Sequence, residues 1–168
     1  MFALVRGSYL PTTIRTSALS LLATIADTAD LALLPYANEM AHAMLDLLQI
    51  EGARASRGQQ DPVSTPTDAN LSPIPMSMDD QPTAANPTFP PFRRASLHFL
   101  GILVRAYTRR AYASSVGGSG MSVDDFPTRR AATILAYIAA TDADAVVRVM
   151  AGEVGDAVHT LERASVGL

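Results

Sequence analysis

Three short stretches of this chain share one pattern, an apolar residue, an arginine and then small residues, and each stands in a segment of helical periodicity. Ile14-Arg15-Thr16-Ser17-Ala18-Leu19 aligns with Phe92-Arg93-Arg94-Ala95-Ser96-Leu97, and both align with Val147-Arg148-Val149-Met150-Ala151-Gly152 in their apolar, basic and small positions. A repeated helical module constrains a fold strongly, because one helix pair cannot bury its own apolar face and must stack on its neighbours to make a continuous core. Arg15 and Arg93 stand 78 positions apart and Arg93 and Arg148 stand 55 apart. The inequality disappears once two stretches without helical periodicity, 52–90 and 115–126, are set aside, which brings both spacings near ~40.

That period is the one of HEAT and armadillo helix pairs, so the expected fold is all-α: a HEAT/armadillo-like α-solenoid fragment of about five helices, two and a half repeats, in a single domain over 1–168. Arg15, Arg93 and Arg148 are expected to act structurally. An arginine early in each first helix can present its planar fork of donors to carboxylates in the adjacent turn. Asp142 and Asp144 supply such a turn, and each can also accept hydrogen bonds from the unpaired first-turn N–H groups of the helix that follows.

In chain order, Ile14, Ala18, Leu21, Leu22 and Ile25 recur at helical spacing over Ile14–Ala26, and a turn over Asp27–Asp30 leads to a second helix ending near Ile50, with Pro35 in its first turn. These two helices are expected to form an antiparallel hairpin. Residues 52–90 are rich in Pro, Ser, Thr, Asn and Gln, with too little apolar area to offset the entropy of ordering them, and read as a disordered insert. A third helix, Phe92–Tyr112, carries Leu97, Phe99, Leu100, Ile102, Leu103 and Val104 and is the most buried by pattern. Residues 115–126, centred on Gly-Gly-Ser-Gly, read as a flexible loop. Phe126-Pro127-Thr128 opens a fourth helix expected to pack back on the third, and the tight turn at Asp142–Asp144 leads into a fifth that fades near Ala164 with no helix after it.

Composition limits the functions. Apolar residues at 48% and charged residues at 17% of 168 fit a folded body with a core. A formal net charge of −3 gives no general attraction to phosphate backbones, so no nucleic-acid partner is expected. The absence of cysteine excludes disulfides, thiolate zinc sites and cysteine nucleophiles. The longest apolar run, Phe99–Val104, is far short of a bilayer span, so no membrane insertion is expected. Residues 1–26 hold Arg6 and Arg15 and no acid, as organelle transit peptides do, but the repeat at Ile14–Ile25 assigns that stretch to a helix.

Catalytic and metal chemistry find little support. Glu39-x-x-His42 and Asp156-x-x-His159 place a carboxylate and an imidazole on one helical face, as in di-iron bundles, yet such sites also need carboxylates from two further helices, and the third and fourth helices carry none. No serine stands in a glycine-flanked elbow, and the Gly-Gly-Ser-Gly loop lacks the lysine of a phosphate-binding loop. Neither a catalytic site, a metal nor a cofactor is expected; a helical-bundle metalloenzyme is the remote alternative. The surface feature to follow lies on the third helix, where 100° per residue places Arg94, His98, Arg105, Arg109 and Tyr112 within about 60° of one another. This basic strip is the expected partner-binding surface, for an acidic segment of another protein, against the plainer reading that it is solvated or paired with acids of a neighbouring helix.

With these motifs in view, IRTSALSLLATIADTADLALLPYANEMAHAMLDLLQIE, RRASLHFLGILVRAY and PTRRAATILAYIAATDADAVVRVMAGE resemble the carboxyl-terminal HEAT-repeat region of the fungal RNA polymerase II assembly and nuclear-import factor family, related to the animal transport and Golgi organisation family. The resemblance implies a non-catalytic adaptor that binds polymerase subunits and assembly or transport factors and moves between cytoplasm and nucleus. It offers no catalytic residues, and the two inserts lie outside it. The alternative is a HEAT-repeat module of another transport, coat-adaptor or kinase-scaffold system. Self-association through the exposed last helix is a further expectation.

Overall fold

The computed structural model describes residues 10–28, 33–58, 90–117 and 126–166. Among them are five α-helices and no strand: α1 Thr12–Thr28, α2 Ala37–Gly58, α3 Pro90–Gly117, α4 Thr128–Thr141 and α5 Ala145–Val166, with a 3-10 turn at Leu34–Tyr36 before α2.

Each helix forms for a reason visible in its residues. Six apolar or small positions on α5, Val147, Ala151, Val154, Val158, Leu161 and Ala164, recur every three or four residues and all are buried. The same spacing buries Ala131, Leu135 and Ile138 on α4 and Leu19, Leu22, Ala23 and Ala26 on α1. Hydroxyls on α1 would compete with the helix if left unpaired, but Thr16, Thr24 and Thr28 donate to the carbonyls four residues back.

The hub is α3. Phe92, Leu97, Phe99, Leu100, Ile102, Leu103 and Val104 are each no more than 4% exposed, and at 100° per residue they cover more than half of its circumference. A helix with so wide an apolar face must be covered from several sides. Accordingly α3 packs against α1 and α5 on two flanks and against α2 on a third, while α4 packs on α5 and, more lightly, on α2. The helices α1, α3 and α5 are thus successive neighbours, and α2 and α4 are neighbours of each other. Phe126, just ahead of α4, is buried and meets Tyr107 of α3 with ring centroids 5.0 Å apart and planes tilted by 60°.

Several expectations change. The first two helices do not form a closely packed hairpin: α1 lies on α3 and barely meets α2. Burial free energy scales with apolar area removed from water, and the broad girth of α3 offers α1 more than the stripe of α2 does. Helix α4 seats on α5, its partner across the tight turn, rather than on α3, whose flanks α1, α2 and α5 already cover. Pro35 stands in the 3-10 turn and not in the α-helix itself. Helix α2 continues through Gly58, because Ala53, Arg54, Ala55 and Arg57 are good helix formers that carry it past Gly52. Helix α3 starts at Pro90, with proline in the first turn where its missing N–H has no bond to make, and runs on to Gly117. Residues 52–58 and 90 of the first expected insert and 115–117 of the second are therefore helical, and 59–89 and 118–125 lie outside the described residues. So do residues 1–9.

Candidate docking surface and the arginine clamp beside it

The turn between α4 and α5 is built by two aspartates and held by two arginines. Asp142 ends α4 with extended backbone, φ −64° and ψ 138°, its N–H still bonded to the Ile138 carbonyl at 3.0 Å. Its Oδ1 accepts the Asp144 N–H at 2.9 Å, which closes the turn. Asp144 is the N-cap of α5, accepting the Val147 N–H at 2.9 Å, as a short carboxylate at a helix start should.

Arg93 and Arg94, consecutive in the first turns of α3, each grip one of these carboxylates. Arg93 donates from Nε to Asp142 Oδ2 and from Nη2 to Asp142 Oδ1, both at 2.9 Å, with the two side chains only 1% and 2% exposed. Arg94 donates to both oxygens of Asp144, at 3.3 and 2.5 Å, in a wetter setting where the arginine side chain is 39% exposed. The hydrogen bond from Arg94 holds the Asp144 carboxyl below its ordinary value near 3.8; burial opposes this and the Val147 N–H adds to it. Both grips are the forked geometry that suits guanidinium to carboxylate.

The other two repeat arginines act differently. Arg148 turns back on its own helix start, donating from Nη1 to the Asp142 carbonyl at 2.7 Å and the Ala143 carbonyl at 3.2 Å. Arg15 is buried with its guanidinium 4.2 Å from the centroid of the Phe92 ring, a cation–π contact, and 4.0 Å from Glu51 of α2. The three arginines therefore align in sequence but differ in what they hold, and Arg93 makes the bidentate bridge to the turn between α4 and α5.

Of the five strip residues, Arg94 is engaged in the clamp, and His98, Arg105, Arg109 and Tyr112 are exposed along α3. They edge a groove between α3 and α5. One depression of about 70 Å³ is lined by Leu97, His98, Gly101, Arg105, Glu153 and Val154 among others. A second, of about 410 Å³, is lined by Asp27, Arg105, Thr108, Arg109, Tyr112 and Thr160 with Ala157. Arg105 and Ala157 line both, so the two depressions are adjacent, and the Arg105 guanidinium lies over Gly101 with Nη1 3.6 Å from where a Cβ would stand. Gly101 lets the helices close: a Cβ there would stand 3.3 Å from Val154 Cγ2.

A second polar cluster, which the sequence reading missed, crosses from α4 to α2. Arg130 donates to Asp46 at 2.5 Å and to Gln49 at 3.3 Å, with His42 Nδ1 at 3.5 Å. The spacing of His42, Asp46 and Gln49, one helical face, was the available signal. His159 lies 3.2 Å from Glu162 on its own helix. Among the described residues no three His, Asp or Glu side chains gather as metal ligands, and no helix is long and apolar enough to cross a membrane. The outer side of α5, where self-association was expected, exposes Val146 and Val149 at its start and Glu153, Asp156, His159 and Arg163 beyond them.

Compared with known protein families, with curated proteins and with solved structures, the chain matches none.

Proposed function

We propose that this chain is a non-catalytic protein-binding scaffold, built as a short stretch of HEAT/armadillo-like solenoid, and that its specific role is as part of an adaptor for RNA polymerase II assembly and nuclear import, working in the cytoplasm and shuttling to the nucleus. The observation that carries the scaffold reading is the succession of α1, α3 and α5 as neighbours with α2 and α4 packed beside them. Stacked helical modules of that kind expose long faces between their elements, and such faces serve other proteins. The sequence resemblance alone supports the polymerase role.

Affinity capture with this chain, followed by identification of the retained proteins, tests both levels. Recovery of polymerase subunits or their assembly factors is the expected result. Recovery of membrane-traffic proteins alone would reject the polymerase role while leaving the scaffold. Retention of nothing beyond what an unrelated helical protein retains would reject the scaffold itself.

A further inference from the structure

We infer that the groove between α3 and α5 seats an acidic, amphipathic segment of a partner protein, with a carboxylate of that segment on Arg105 and its apolar side chains on the floor formed by Gly101, Val154 and Ala157. This rests on the scaffold reading above and names the place and chemistry of the contact.

Arg105 carries the inference. It stands where the two depressions meet, is exposed, and makes no hydrogen bond or ion pair among the described residues. A guanidinium in a groove offers two parallel donors to a carboxylate, a stronger and more directional contact than it makes to water. On the same wall His98, about two turns before it, lines the smaller depression, and Arg109, about one turn after it, lines the larger. Between Leu97 and Tyr112 the wall runs roughly 22 Å at the rise of an α-helix, enough for several turns of a bound segment.

The opposite side sets the register. Glu153 of α5 lines the smaller depression and Asp27 of α1 the larger, one at each end, so a uniformly acidic ligand would be repelled at both ends. A segment with its acids on the edge facing α3 and neutral donors facing α5 and α1 meets every charge correctly. The floor selects for apolar side chains in the middle, because small residues there leave space that water fills poorly and a leucine or methionine fills well. Like charges placed wrongly across such a rim exclude other ligands, so the wall chooses as well as attracts.

The test uses the full chain and two fluorescein-labelled peptides, one with leucine at helical spacing and aspartate elsewhere, the other with lysine replacing every aspartate. Fluorescence anisotropy is expected to show saturable binding of the acidic peptide, weakened at least tenfold by Arg105→Glu and at least tenfold by Ala157→Leu, a helix-compatible change that fills the floor without altering charge. Arg129→Glu, which removes the same charge from an exposed site on α4, is expected to leave binding within twofold. Unchanged binding by Arg105→Glu, equal weakening by Arg129→Glu, a preference for the lysine peptide, or no saturable binding would each overturn the inference. So would concentration-dependent self-association relieved by Arg105→Glu, which would make a second copy the occupant. Affinity capture with the Arg105→Glu chain separates the two levels: retention of the same proteins as the unmodified chain removes the groove and leaves the scaffold.

Discussion

Asp142→Asn takes one negative charge out of an ion pair whose two side chains are only 1% and 2% exposed and should destabilise the protein far more than an ordinary polar substitution. Asp142 accepts two hydrogen bonds from Arg93 and one from the Asp144 N–H, all at 2.9 Å. Asparagine keeps an acceptor oxygen for the turn but presents its amide nitrogen, a donor, to one arm of the guanidinium. Arg93, 1% exposed, cannot reach water, and its Nη1 already has no hydrogen-bond partner among the described residues. Breaking a buried pair by removing one partner costs about 3–5 kcal/mol, because the other charge stays uncompensated. At roughly 2–4 °C per kcal/mol for a chain of this size, the melting temperature should fall by about 6–20 °C. Urea unfolding and thermal melts followed by circular dichroism measure both quantities. The double variant Arg93→Met with Asp142→Asn removes the stranded charge while keeping most of the volume, and should recover more than half of the loss. A single-variant loss under about 1 kcal/mol, or a double variant no better than Asp142→Asn, would refute the claim that an uncompensated buried cation is the cause.

Two further predictions concern the same packing. The depressed pKa of Asp144 means that its contribution to stability is present above the unfolded value near 3.8 and is lost as pH falls through the lower folded value; the fall in stability from about pH 5 to pH 3 should therefore be shallower in Arg94→Ala, and identical slopes would show that this pair does not set it. Gly152→Ala and Gly155→Ala, where an added Cβ meets nothing within 4 Å, should each stabilise the protein by about 0.5–1 kcal/mol in urea titrations, whereas Gly101→Ala, against Val154 at 3.3 Å, should gain less, and a gain equal to theirs would contradict the close approach of α3 to α5.

The number and placement of helices were legible because each carries an unbroken 3.6-residue apolar pattern; α5 and α4 read directly from Val147 to Ala164 and from Ala131 to Ile138. Their pairing was less so. Periodicity shows that a face is apolar but not which neighbour covers it, so the competition that drew α1 to α3 and away from α2 left no trace in α1 itself. Helix ends also escaped, since Glu51 to Gly58 and Ala113 to Gly117 have helix-compatible residues without an apolar stripe to mark them. The turn chemistry at Asp142 and Asp144 was readable, while the identity of their partners was half readable: Arg93 stood in the repeat, but Arg94, placed on the basic strip by its angle, proved to reach the second aspartate. Glu153 and Asp27, which give the groove its acidic ends, are distant in sequence from α3 and come to it only through packing.

The clamp joins residues 49 and 50 positions apart, and that separation governs when its stabilisation becomes available. In synthesis α3 precedes the turn it must hold, so the two guanidiniums lack their carboxylates until Asp142 and Asp144 have been made. A message truncated anywhere before Asp142 yields a product lacking both carboxylates and the helix that shields one flank of α3, the species a quality-control protease would find easiest to recognise.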